Sequence, residues 1–349
     1  MSGELRVSPH PTGDLLQGKV DVVLVIVAPG QGAQVPGFLS PWLELPGMAE
    51  TFASWSEVTG LDLVRYGTTA DADEIRDTAV AQPLLVSAGL AAATALLGPP
   101  SAPGAPLPAS PSLVDATAGH SVGEFTAAAL AGVLSPKDAL ALVAERGRGM
   151  ADAAARTETG MTAVLGGQRE DVLAAIEAAG LTPANDNGSG QIVAAGTSDQ
   201  LAAFAENPPE RARLRPLSVA GAFHTEHMAP AMERVRAAAQ GLTPADPSVR
   251  LLSNADGAVV DSGAEYLERL VSQISSPVRW DACTDTLADL GVTAFIELTP
   301  AGTLTGLAKR ALRGIEILAV KTPDDLERAG ALIKEHAGTI SPASGQQEG

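Results

Sequence analysis

Three observations predict an α/β fold for this chain of 349 residues. A mostly β-branched run, Val20 to Ala28, ends in the tight loop Pro29-Gly30-Gln31-Gly32-Ala33-Gln34, as a buried strand of a parallel sheet does. Strand-like and helix-like segments alternate after it. Between a short β-prone run and an alanine-rich stretch stands Gly119-His120-Ser121-Val122-Gly123, the Gly-x-Ser-x-Gly pattern of a sharp strand-to-helix turn. The expected architecture is a large α/β-hydrolase-like domain with a parallel sheet, plus a small ferredoxin-like α+β subdomain.

After the first loop, helical patterns are expected around Met48–Val58 and Asp71–Thr78. Pro83 is expected in the first turn of a helix over Leu84–Leu97, where its missing N–H would be orphaned anyway. Gly98 to Ser112, rich in proline, alanine and serine, reads as a surface loop. Leu113–Ala118 is the next strand, Val122–Ala131 the helix after the turn, and Pro136 opens another helix through Arg148. The middle differs: Thr162–Leu165, a helix over Glu170–Ala179, a strand over Gln191–Ala195, a helix over Ser198–Ala205 and a strand over Ala212–Val219 make a compact βαβ-αβ set, read as the ferredoxin-like insertion. Strands at Val249–Ser253 and Ala294–Leu298 resume the α/β pattern. The expected boundaries are a disordered extension over 1–19, a discontinuous large domain over 20–155 and 218–337, the subdomain over 156–217, and a polar tail over 338–349.

Composition excludes several functions. The net charge of −18 argues against nucleic acid or an anionic membrane as a partner, and 3% aromatics leave few platforms for stacking bases. No apolar run is read as a membrane span, and the start lacks the order of a signal peptide. The single cysteine, Cys283, fits a reducing cytoplasm and reads as a small buried apolar residue. The expected state is a monomer.

Ser121 would stand at a helix N-terminus, where free N–H groups and the dipole favour a developing oxyanion. Nucleophilic serine chemistry also needs a base, and the chain has five histidines. His10 and His336 lie near the ends and read as solvated, and His120 inside the turn is expected to point away from its neighbour. His224, in the small-residue loop Gly221-Ala222-Phe223-His224-Thr225, is the candidate base; a loop histidine without catalytic role is the alternative. His227, read as a surface residue, gives His-x-x-His spacing with His224, but no cysteine or third histidine stands at ligand spacing, so no metal is expected. In an α/β-hydrolase the histidine follows the acid near the C-terminus, which His224 does not, so a hydrolase fits the spacing poorly.

At this point the residues match a family. The chain resembles the malonyl-CoA:acyl carrier protein transacylases of fatty acid synthesis and the related acyltransferase domains of polyketide synthases, from about Val22 to Ala329. The resemblance rests on Pro29-Gly30-Gln31-Gly32-Ala33-Gln34, Ala81-Gln82-Pro83, Gly119 to Glu124, Glu145-Arg146-Gly147, Gly190 to Gly196, Ala222-Phe223-His224-Thr225, Ser276-Pro277-Val278-Arg279-Trp280 and Leu304-Thr305-Gly306-Leu307, in the family's order. It departs at Ala28, at Thr299-Pro300 and in the loop Gly98–Ser112, none of which touches the matched chemistry.

The resemblance implies a ping-pong transfer of malonyl from malonyl-CoA to the phosphopantetheine thiol of an acyl carrier protein, with no cofactor. By position, Ser121 is the residue acylated and His224 its base. The amides of Gln31 and Val122 form the oxyanion hole, and the carbonyl of Gln273 orients the histidine. Gln82 and Phe223 line the pocket. Arg146 grips the free malonyl carboxylate with two parallel hydrogen bonds; the alternative is an ordinary helix arginine paired with surface acids. Lys309, Arg310 and Arg313 form a candidate basic patch for an acidic carrier protein, against a plain solvated helix face. A trans-acting polyketide acyltransferase, or a carrier-protein acyl hydrolase using the same serine and histidine, is the alternative function.

Overall fold

A computed structural model describes residues 22–102 and 105–337; the expected N-terminal extension, the C-terminal tail and His10 lie outside them. Five parallel strands form the main sheet in the order β10-β9-β1-β2-β7, with β1 Leu24–Ala28, β2 Ala116–Gly119, β7 Arg250–Leu251, β9 Ala294–Glu297 and β10 Glu316–Ala319. β1 lies at the centre because both its faces are apolar and buried. Leu24 and Ile26 join a core on one side; Val23, Val25 and Val27 join a second core on the other. A strand buried on both faces needs a helix layer on each, and the helices Thr78–Leu97 and Trp280–Asp289 contribute to the two cores respectively.

The second sheet has the order β6-β3-β5-β4-β8, with β3 Thr159–Gly166, β4 Thr182–Asp186, β5 Gln191–Thr197, β6 Ala212–Pro216 and β8 Val278–Arg279. Its first four strands pair antiparallel, with the helices Arg169–Ala178 and Ser198–Glu206 connecting them, in a ferredoxin-like arrangement. Strand β4 was not expected. Its sequence, Thr-Pro-Ala-Asn-Asp, has poor strand propensity, and the register shifts between Pro183 and Asn185, where a proline in a strand demands irregularity. Strand β8 comes from far along the chain and joins β4 in parallel, tying the two sheets together.

Three local expectations change. The helix around Asp71–Thr78 shrinks to a 3-10 turn at Glu74–Arg76. Pro83 lies inside a helix that begins at Thr78, not in its first turn, because the Asp77 carboxylate accepts the Ala79 N–H at 2.8 Å and sets the start earlier. That helix, Thr78–Leu97, reaches membrane-spanning length with a mean hydropathy of 1.7, against the reading of no such run. Yet 78% of its apolar window is buried inside the protein, as a core helix.

Candidate active site

The site is built at the carboxyl ends of β1 and β2, beside the point where the strand order reverses, where open α/β sheets hold ligands. Ser121 follows β2 directly, at φ 52°, a left-handed conformation that lifts its side chain off the turn. Both flanking glycines are sterically required. A Cβ on Gly119 would lie 2.0 Å from the Gly123 carbonyl carbon, and one on Gly123 would lie 2.2 Å from the Ala28 oxygen. The second contact presses the turn against the end of β1 and brings the Pro29–Gln34 loop beside the serine.

Ser121 Oγ lies 2.6 Å from His224 Nε2, and His224 Nδ1 donates to the Gln273 main-chain carbonyl at 2.8 Å. A nucleophile, a base and a third group orienting the base are thus in line. His224 is 3% exposed and also left-handed, at φ 61°. Burial, and then the positive charge of Arg146, push its pKa down to about 3; the imidazole is neutral at pH 7 and free to accept a proton.

Arg146 comes from the helix Pro136–Ala154. Its neighbour Gly147 has no side chain where a Cβ would lie 3.0 Å from the Thr78 oxygen, so this helix and Thr78–Leu97 approach closely and Arg146 meets Gln82. The guanidinium is 1% exposed. NH1 donates to Gln82 Oε1 at 2.5 Å and NH2 to Gln273 Oε1 at 2.7 Å; NH2 also reaches Ser121 Oγ at 3.4 Å. Its Nε has no partner among the described residues. Burial lowers its pKa to about 10, with Glu124 opposing, so it stays charged. The surface-pair alternative for Arg146 does not hold: its direct hydrogen-bond partners are neutral, while Glu145 and Arg148 on the same helix pair with each other at the surface.

Gln273 does more than the sequence implied. Besides its carbonyl on His224 and its Oε1 on Arg146, its Nε2 donates to the Ser121 carbonyl at 3.0 Å and to Glu124 Oε2. Two neighbours were missed. Asn254 accepts the Ser121 N–H on Oδ1 and donates from Nδ2 to the Gly119 carbonyl, both at 2.7 Å. Buried Glu124 accepts the Asn254 N–H at 2.7 Å, and desolvation raises its pKa to about 7. A carboxylate in the alanine-rich helix Gly123–Leu130, and an asparagine just past the short strand β7, were the available signals.

A cleft of about 260 Å³ opens over Ser121, lined among others by Gln31, His120, Asn187, Phe223, His224 and Leu307. Gln82 is buried and reaches the site through Arg146. The main-chain amides of Gln31 and Val122, on the loop after β1 and the turn after β2, donate to no acceptor among the described residues. His120 is not idle: its Nε2 pairs with Asn187 Oδ1 at 2.8 Å at the cleft wall. His336 is not solvated; it bonds Thr293 at 2.9 Å and faces Glu316. Glu316, Glu335 and His336 could together hold a cation, and none of them lines the cleft. Cys283 is buried and its thiol is pushed well up by desolvation, which leaves it inert.

The acyl transferase domain family matches residues 25–347. Malonyl CoA-acyl carrier protein transacylases of Mycobacterium tuberculosis are 53% identical over 310 residues, covering 89% of this chain and all of theirs. The Bacillus subtilis protein of the same name is 33% identical over 89% of this chain and 98% of its own. The crystal structure of MCAT from Mycobacterium tuberculosis superposes with a TM-score of 0.81 at 51% identity, covering 88% of this chain and 99% of that one. A malonyl-transacylase in complex with its type II PKS acyl-carrier protein gives 0.79 at 29% identity, covering 88% and 99%. A serine elbow, a histidine held by a carbonyl and a buried arginine, on a chain so matched throughout, make it a member of the acyl transferase family, among the malonyl CoA-acyl carrier protein transacylases.

Proposed function

We infer that the chain transfers malonyl from malonyl-CoA to the thiol of an acyl carrier protein through an ester on Ser121. The observation that carries this is Arg146, a buried guanidinium held by two neutral amides and aimed to within 3.4 Å of the nucleophile's oxygen. A cation so placed recognises an anionic acyl group, and malonyl carries its free carboxylate one methylene beyond the carbonyl under attack.

In the first half-reaction Ser121 Oγ attacks the thioester carbonyl while His224 Nε2 takes its proton. The Nδ1–H bond to Gln273 fixes the tautomer that leaves Nε2 free. The amides of Gln31 and Val122 receive the oxyanion. The tetrahedral intermediate collapses, and His224 gives its proton to the departing CoA thiol. In the second half the carrier's phosphopantetheine thiol loses its proton to His224, attacks the ester carbonyl, and Ser121 leaves as the reprotonated hydroxyl. Phe223 shapes the pocket wall, and Gln82 acts from beneath it by holding Arg146.

We assign residues 20–155 and 218–337 to the large domain and 156–217 to the subdomain, on the partition of the strands between two sheets, from which β8 alone departs by joining the second sheet. We propose that the enzyme works in the cytoplasm, which suits its one free cysteine, and as a monomer, since one chain supplies Ser121, His224, Arg146 and both amides. Intact-protein mass after brief exposure to malonyl-CoA tests the reading. A malonyl-sized gain on the wild type, absent in Ser121→Ala and discharged by carrier protein rather than water, is expected. No adduct, an acetyl adduct formed as readily, or discharge by water would overturn it.

A further inference from the structure

We propose that Glu124 is the positioning residue of the acyl site. Its two carboxylate oxygens hold the Asn254 main-chain N–H and the Gln273 side-chain amide; the side chains of these two residues clamp the nucleophile's peptide, and that of Gln273 also aims Arg146. This rests on the malonyl-transfer reading and deepens it.

Ser121 sits in a left-handed turn, so its N–H has no helical partner and is taken by Asn254 Oδ1. Its C=O accepts the Glu124 main-chain N–H at 3.0 Å and, as a second donor, Gln273 Nε2. Both residues then converge on Glu124: Asn254 through its main-chain N–H to Oε1, Gln273 through Nε2 to Oε2. The Gln273 amide is therefore placed between an acceptor, Glu124, and a donor, Arg146 NH2. That sandwich fixes which end of the amide faces the guanidinium, because the reversed amide would set N–H against N–H on one side and oxygen against oxygen on the other. Glu124 is 1% exposed. Arg146 faces it from one helix, Tyr266 from Gly263–Ser272 and Cys283 from Trp280–Asp289.

Glutamine at position 124 has the same shape but one acceptor oxygen, whereas two N–H donors converge there. One of them must lose its acceptor, which is costly in a buried site. The Gln273 side chain is then released, and with it the aim of Arg146, while the main-chain carbonyl on His224 stays in the backbone. The expected result is an uneven loss. Glu124→Gln slows acylation of Ser121 by malonyl-CoA about tenfold more than acylation by acetyl-CoA. A residue that merely filled the core would slow both by one factor.

The experiment is a double-mutant cycle on single-turnover acylation, with each acyl-CoA, for Glu124→Gln, Gln273→Met and the pair. If Glu124 acts through Gln273, the pair loses no more malonyl preference than Gln273→Met alone. Additive losses, or equal slowing with both acyl-CoAs, would overturn the proposal. Should Glu124→Gln fail to fold, Gln273→Met decides alone, since an undiminished malonyl preference there removes the route from Glu124 to Arg146. The wild-type malonyl adduct on Ser121 is measured alongside; its absence sinks the transfer reading itself, and its presence with an unaffected Glu124→Gln sinks this proposal alone.

Discussion

Replacing Arg146 with methionine removes the charge and the donors while keeping an apolar chain of similar length. The guanidinium it deletes is 1% exposed and lies 3.4 Å from Ser121 Oγ, so a malonyl carboxylate bound there is left buried and unpaired. Truncating one partner of a buried, hydrogen-bonded charge pair costs about 2–5 kcal/mol. At about 1.36 kcal/mol per factor of ten, malonylation of Ser121 should slow roughly 30- to 5,000-fold. Acetyl transfer should behave in the opposite way. The charge of Arg146 is the second cause, after burial, that holds down the basicity of His224, and its removal strengthens the base that every acyl group uses. Acetylation should therefore hold or rise. Quenched-flow acylation with malonyl-CoA and acetyl-CoA in competition measures the ratio, with a thermal melt to verify folding. Arg146→Lys should fall between, since it keeps a charge but loses the planar fork. If Arg146→Met slows both acyl groups by one factor, or keeps the malonyl preference, the arginine is structural and the reasoning fails.

Gly123→Ala should lower the melting temperature by several degrees and slow acylation. Its Cβ would sit 2.2 Å from the Ala28 oxygen, and overpacking of this kind costs about 1–3 kcal/mol; a variant as stable and active as the wild type would show that the strand and turn do not meet so closely. Reversing the charge of Lys309 and Arg310, both exposed on the helix Thr303–Ala311 whose Thr303 and Leu307 line the cleft, should raise the apparent KM for carrier protein roughly tenfold at low salt while malonylation by malonyl-CoA is unchanged. If both half-reactions fall together, that helix is not where the carrier lands.

What the sequence disclosed follows from how far each signal reaches along the chain. β1 was legible because its apolar run is continuous, and the serine turn because its steric demand is met by residues within the same pentapeptide. Pro83 was misplaced because its helix is started by Asp77, a cap whose weight over the proline signal depends on packing. β4 escaped because register against β5 and β8 outweighs the poor propensity of Pro183, Asn185 and Asp186. In the site, Ser121, His224 and Arg146 could be named by their place in a family pattern. Asn254 and the full part of Gln273 could not, since they meet Ser121 across 133 and 152 residues of chain, and no local pattern carries such a contact. Glu124 stood inside the most informative motif without a role, because its role lies in partners brought by other elements.

The electrostatics of the site explain why one arginine can serve both choice of substrate and control of chemistry. His224 is buried beside a cation, so the imidazolium it must become is penalised twice. A neutral acyl group leaves that penalty in place. A malonyl carboxylate paired with Arg146 cancels the nearer part of it, so the base strengthens as the correct substrate binds, and the proton leaves Ser121 more readily. Selection then operates in the transition state as well as in binding, which is where discrimination raises the rate instead of merely the affinity. Glu124 lies on the far side of the Gln273 amide from Arg146. From there its charge steadies the guanidinium without occupying the face turned to the serine.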